Sequence, residues 1–214
     1  MKIKNWMTKD PITVTSDTLA VEAQKIMREN KIRHLPVVDK GKLVGVVTFR
    51  NLIEAAPSSA TSLSIHELNY LIMKIKIKDI MKKNVLTVSP EDTVIDAIAL
   101  GAEKGIGGFP VIDEKGHLVG IVTQTQIDQA MIQLFGTNVK NEIISLENVD
   151  LQTGTLGKIV SLVEELGINI TSVFSMPRRT TDLLRVYIRI KAEQPDTKSR
   201  VIAELKKTGY EIAD

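Results

Sequence analysis

The chain has 214 residues, 43% of them hydrophobic and 25% charged, a globular balance that sustains a packed core and argues against disorder. Lys and Arg number 28 against 26 Asp and Glu, so bulk charge gives no reason to expect DNA or a membrane as the main partner. The absence of cysteine excludes disulfides, thiolate nucleophiles and thiolate-bound metals. No apolar run approaches the roughly 20 residues of a membrane-spanning helix, and Met1-Lys-Ile-Lys-Asn-Trp lacks the apolar stretch of a signal peptide. A cytoplasmic location is the expectation.

Taken in chain order, the elements repeat. Met7-Thr-Lys-Asp-Pro-Ile-Thr-Val-Thr returns as Met81-Lys-Lys-Asn-Val-Leu-Thr-Val-Ser, Leu35-Pro-Val-Val-Asp as Phe109-Pro-Val-Ile-Asp, and Gly41-Lys-Leu-Val-Gly-Val-Val-Thr as Gly116-His-Leu-Val-Gly-Ile-Val-Thr. Each copy predicts a short strand (Ile12–Thr15, Leu86–Ser89) and then a helix. Helical spacing of Leu19, Ala23, Ile26 and Met27, and of Val94, Ala97, Ile98 and Gly101, carries that helix. Ser89-Pro-Glu-Asp reads as its N-cap in the second copy. A hairpin with Asp and Gly at its bend follows, and a further helix begins near Arg50 and near Gln126. The unit is β-α-β-β-α. One copy would leave a sheet face uncovered, so two are expected to fold as one. Between them, Ala55-Ala-Pro-Ser-Ser-Ala-Thr-Ser reads as a linker and Ser64-Ile-His-Glu as a capping box opening a helix to about Met73. The alternating Lys74-Ile-Lys-Ile-Lys suits an extended segment or a helix entry.

The tail predicts a strand over Glu142–Val149, a helix from Gly154 closed by Gly167, strands over Ile168–Phe174 and Leu183–Ile190, a helix over Thr197–Thr208 closed by Gly209, and a last extended stretch from Tyr210. That order, βαββαβ, is ferredoxin-like. Arg178-Arg-Thr-Thr reads as a solvated hairpin tip.

The paired Leu-Pro-Val-Val-Asp and Gly-Val-Val-Thr motifs resemble a tandem of CBS domains, a Bateman module, and Asn148-Val-Asp-Leu-Gln-Thr-Gly154-Thr-Leu-Gly-Lys-Ile is similar to the strand–loop–helix entry of ACT domains, with Thr153 where a proline is usual. Such a combination on a short chain resembles bacterial acetoin-utilisation regulators. The implied fold is α/β (α+β): a first CBS repeat over 1–56, a linker and connecting helix over 57–78, a second repeat over 79–135, and a ferredoxin-like ACT domain over 142–214. The resemblance also implies an adenine-containing nucleotide (AMP, ADP, ATP or cyclic di-AMP) in a cleft between repeats, as a regulatory ligand rather than a cofactor. The Thr of each Gly-h-h-Thr would meet ribose or phosphate, and an Asp three residues on would chelate the ribose hydroxyls. Thr48 and Thr123 match; Asn51 and Gln126 replace the aspartates with neutral groups, which forgo charge-assisted hydrogen bonding.

The two clefts are expected to differ. The first groups Arg33, His34, Thr48, Arg50 and Asn51 with backbone at Leu86 and Thr87, its cations suited to phosphate. The second, roomier and uncharged, groups Ile12, Thr13, Gly107, Gly108, Thr123, Thr125 and Gln126. Gly105-Ile-Gly-Gly-Phe-Pro departs from a dinucleotide fingerprint, because Pro110 takes the third glycine's place and a strand follows. His34, His66 and His117 lack metal-ligand spacing, and no nucleophile–base set points to an enzyme. In the tail, the loop of Leu151, Thr153, Gly154, Thr155 and Leu156 could hold a small effector, or the domain could serve as a homodimer contact. Two alternatives stay open: a structural dimer with empty clefts, and a nucleic-acid regulator acting through Lys74, Lys76, Lys78, Lys82 and Lys83. The second is disfavoured because aromatics are only 4% of the chain and none interleaves the lysines. An unidentified protein partner would read out the bound state.

Overall fold

The computed structural model describes residues 1–55, 73–135, 141–178 and 181–213. The expected linker after Ala55 and the helix opening at Ser64 lie outside the described residues. The chain divides into two compact units, Met1–Ala130 and Met131–Asp214.

In the first unit the repeat is plain. Helix α1 (Ala20–Glu29), the hairpin β2 (His34–Asp39) and β3 (Lys42–Thr48), and helix α2 (Phe49–Glu54) follow a 3-10 turn at Ile3–Asn5 and the short β1 (Thr8–Lys9). The second copy runs from α3 (Ile77–Ile80) through α4 (Val94–Lys104), β4 (Gly108–Ile112), β5 (Leu118–Thr123) and α5 (Gln124–Phe135). Both hairpins are antiparallel and slip register at equivalent points, Val37/Val38 and Val111/Ile112.

Two local expectations need correcting. Ile12–Thr15 and Leu86–Ser89 are not strands; each makes one parallel bridge, Val14 to Val37 and Val88 to Val111. The Val14 N–H donates to Pro36 O and the Val38 N–H to Val14 O. The next rung would need an N–H on residue 36, which proline lacks. Pro110 stops the second ladder in the same way. Ser89-Pro-Glu-Asp is not the helix cap either. It is a turn held by Ser89 N–H donating to Asp92 Oδ2 at 2.7 Å, and the cap is Thr93, whose side chain accepts from the Asp96 N–H while Asp96 accepts in return.

The least expected feature is an exchange of leading segments. Residues at the start of the chain pair with the second copy: Thr8 with Ile121 and Lys9 with Gly120, and the Ile3 N–H with Asp92 O at 2.9 Å. The segment leading the second copy pairs with the first. The Ala20 N–H donates to Ile75 O at 2.8 Å, the Ile77 N–H to Thr18 O at 2.9 Å, and Val46 and Lys82 bond in both directions. Ile77 is fully buried in the first copy's core, among Val14, Ala23, Met27, Leu35, Val37, Val47 and Leu52. Lys74-Ile-Lys-Ile-Lys is thus a helix entry with one apolar side turned into that core. Glycines permit the close crossing. A Cβ on Gly45 would stand 2.8 Å from Lys82 O and 2.8 Å from Met81 Sδ, and one on Gly120 would stand 2.6 Å from Met7 Sδ. Gly45→Ala is therefore expected to cost about 1–3 kcal/mol by overpacking. In urea denaturation Gly107→Ala, where nothing lies within 4 Å, should stay near neutral.

The second unit runs β6 (Asn141–Val149), α6 (Thr155–Glu164), β7 (Ile170–Pro177), β8 (Leu184–Lys191), α7 (Thr197–Lys207) and β9 (Glu211–Ala213). Its four strands lie in the order β7-β8-β6-β9, all neighbours antiparallel. Alternate strand residues Ile144, Leu146, Val186, Ile188 and Ile190 form one core with Ile159 and Val163 of α6 and Val201 and Leu205 of α7. Gly154, Gly167 and Gly209 all take positive φ at helix ends, where a side chain would be strained. β7 begins two residues later than expected and runs on to Pro177. Arg178 is no solvated tip: it pairs with Glu147 and Asn148. Arg179 and Thr180 lie outside the described residues.

Candidate nucleotide site in the paired repeats

A cavity of about 670 Å³ opens in the first unit, lined from both copies, within the usual range for a small-molecule site. One wall is the loop from Thr8 to Ile12, a second Lys31 to His34, and a third Gly107, Ile121 and the turn Thr123–Gln126. The expected grouping therefore changes. Arg33 and His34 line this cavity together with the second-cleft residues Ile12, Gly107, Thr123, Thr125 and Gln126. His34 also pairs with Thr48 across the β2–β3 hairpin, but Thr48, Asn51, Leu86 and Thr87 are not among the lining residues. Gly108 adjoins this cavity: a Cβ there would lie 3.2 Å from Thr123 Cγ2 and 3.4 Å from His34 Cδ2. Thr13, exposed between Ile12 and Val14, is not among the lining residues.

The strand–helix junctions position the threonines. Thr48 caps α2: its N–H and hydroxyl both donate to Asn51 Oδ1 (3.0 and 2.8 Å), and the Asn51 N–H donates to Thr48 Oγ1. In the second copy, Thr123 N–H and hydroxyl donate to Gln126 Oε1, and Gln126 Nε2 donates to Thr8 Oγ1 at 3.2 Å. The single acceptor oxygen of each amide is thus engaged by its own threonine, and what Gln126 turns outward is an NH2 donor. Arg50 lies elsewhere, on the exposed face of α2 in a 2.6 Å ion pair with Glu54. Leu86 is exposed and Thr87 half-buried before the Val88 bridge.

The cationic edge also differs from expectation. Burial, with the Arg33 charge adding to it, holds the His34 imidazole below its usual pKa, which favours the neutral ring near pH 7. The sequence reading missed Lys31. It lines the cavity in a left-handed conformation, φ 54°, just past the end of α1, where the second copy has Gly105 at φ 64°. A lysine beyond a helix end carries no motif, and its φ is invisible in sequence. Ile12 lines the cavity too, and Pro36 leaves its carbonyl out of the ladder.

In the second unit a cavity of about 340 Å³ is lined by Glu147, Asn148, Val149, Asp150, Thr155 and residues 208–211. Of the expected effector loop it takes only Thr155. Leu151 packs on the core, Thr153 and Gly154 are exposed, and Leu156 is 40% exposed. As for the lysine run, Lys76 and Lys78 both pair with Asp17, at 2.9 and 3.0 Å, which holds two of its charges on the protein itself. Among the described residues no group of three or more His, Asp or Glu could hold a metal, and no helix is long and apolar enough to cross a membrane.

Two α/β repeats that exchange leading segments and share one cavity define a paired-repeat ligand-binding module. Residues 3–58 and 77–132 each match the CBS domain, and the chain belongs to the CBS-domain family. The solved CBS domain pair of protein MJ0100, in complex with 5'-methylthioadenosine and S-adenosyl-L-methionine, is 33% identical with a TM-score of 0.52, covering 64% of this chain and 98% of that one. CBSX2 of Arabidopsis thaliana in complex with AMP is 29% identical with a TM-score of 0.52, covering 63% and 98%. A protein of Vibrio cholerae described as an acetoin utilization protein (AcuB) is 28% identical with a TM-score of 0.54, covering 64% and 95%.

Proposed function

We propose that this chain is a non-catalytic cytoplasmic sensor that holds an adenine-containing nucleotide in the cavity between Lys31–His34 and Thr123–Gln126. The cavity itself carries the reading: hydroxyl and amide groups, the Ile12 backbone carbonyl that Pro36 cannot bond in the ladder and two cations line one space of nucleotide size. The ligands of the two similar complexes share an adenosine, which supports adenine as the base. Thr123, Thr125 and Gln126 face ribose in this reading, and Arg33 and Lys31 face phosphate. The Thr48/Asn51 set is the weaker, second site. Residues 142–214 are an ACT-type, ferredoxin-like domain; the βαββαβ order and the β7-β8-β6-β9 sheet support this. Its role is to join two copies of the chain, with sensing transmitted by different ligand affinity for two arrangements of the modules. Domain limits near 56, 78 and 135 go with this reading.

A thermal-shift screen tests the ligand class. A ligand at about 100 times its dissociation constant adds about 2.7 kcal/mol to native stability, a readable rise in Tm. AMP, ADP, ATP or cyclic di-AMP should produce it and GMP should not; no response to any adenine compound overturns the reading. Sedimentation of the full chain as a monomer would contradict the dimer.

A further inference from the structure

The cavity is asymmetric in charge, and the asymmetry is specific to one copy. Lys31, Arg33 and His34 belong to the first repeat; the second repeat has Gly105, Gly107 and Gly108 in the corresponding places. Lys31 occupies a left-handed position that glycine fills without strain, so a charged side chain is kept at the cavity wall at a conformational cost. Asp10 is the single carboxylate among the lining residues, and the third wall offers only Thr123, Gln124, Thr125 and Gln126. The ribose-facing position is an amide, so nothing there attracts a positive ligand. We propose, resting on the nucleotide reading, that Lys31, Arg33 and His34 select a ligand with an anionic 5' group, a phosphate, against neutral or sulfonium adenosyl compounds, and that His34 takes up a proton as the phosphate enters.

The groups facing His34 set the sign. Arg33 and Lys31 precede it on the same segment, Asp10 is the carboxylate among the lining residues, and the neighbouring strands bring Thr48, Gly108 and Thr123, none of them charged. Burial and the Arg33 charge favour the neutral imidazole before phosphate enters. A bound phosphate favours the imidazolium, so phosphate affinity rises as pH falls from 8 towards 6.5, by at most about tenfold per pH unit for one coupled proton.

Calorimetry with AMP, adenosine and S-adenosyl-L-methionine, at pH 7 in buffers of different ionisation enthalpy, tests this. AMP should bind at least tenfold more tightly than the other two and take up a fraction of a proton, while adenosine takes up none. His34→Gln should abolish the uptake. Lys31→Gly should weaken AMP several-fold, leave adenosine unchanged and leave Tm no lower; Lys31→Gln, which keeps the side chain's bulk, should weaken AMP similarly. Equal affinities, tighter binding of the sulfonium compound, or AMP binding without proton uptake overturns this inference and leaves the nucleotide reading standing. Failure of these three and of ADP, ATP and cyclic di-AMP to bind overturns both.

Discussion

Ile77→Ala is expected to destabilise the first unit by about 2–5 kcal/mol, the usual range for emptying a buried isoleucine site, and to loosen the first repeat rather than the one it begins. Ile77 lies at the start of the second matched segment, yet it is fully buried against Ala23, Met27, Leu35, Val37 and Val47. Its N–H is also tied to Thr18 O. Hydrogen exchange of the variant should therefore show lost protection at residues 34–48 before residues 108–123. The opposite order would mean that the leading segments are not exchanged.

A gain in affinity should follow from Gln126→Asp. The acceptor oxygen of Gln126 is occupied by both donors of Thr123, so it has none left for a ribose. A carboxylate offers a second oxygen, and Asp96 shows that an aspartate three residues after a capping threonine makes the same cap. Replacing a neutral contact by a charge-assisted one is worth about 1–1.5 kcal/mol, roughly tenfold in the dissociation constant. The gain should appear equally for AMP and adenosine, since both carry the ribose. Calorimetry showing a gain for neither would place the ribose elsewhere.

What could be read in the sequence was local. Proline, aspartate and glycine at fixed offsets mark both hairpins, and period and helix-ending glycines mark the elements of the second unit to within about three residues. What could not be read depends on pairing at a distance. Ile3 and Ile77 look alike from the chain, and nothing in either says that each would be tied to the other copy. The pairing of the two copies is likewise why Arg33 and His34 share a cavity with Thr123, although His34 is also the strand partner of Thr48. Ser89-Pro-Glu-Asp misled because a proline after serine suits a turn as well as a helix start, and Thr93 and Asp96 satisfied the helix donors better. Pro36 and Pro110, visible from the outset, were the signal that the expected strands would be single bridges.

Chemical-shift mapping of the full chain with AMP tests the central claim most directly. Saturating AMP should move the amides of Ile12, Arg33, Gly107 and Thr123–Gln126 and the ring protons of His34, leaving Val186 and Ile188 in the second unit's core unmoved. Shifts confined to Thr48–Asn51 and Leu86–Thr87, or no shifts at all, would contradict it.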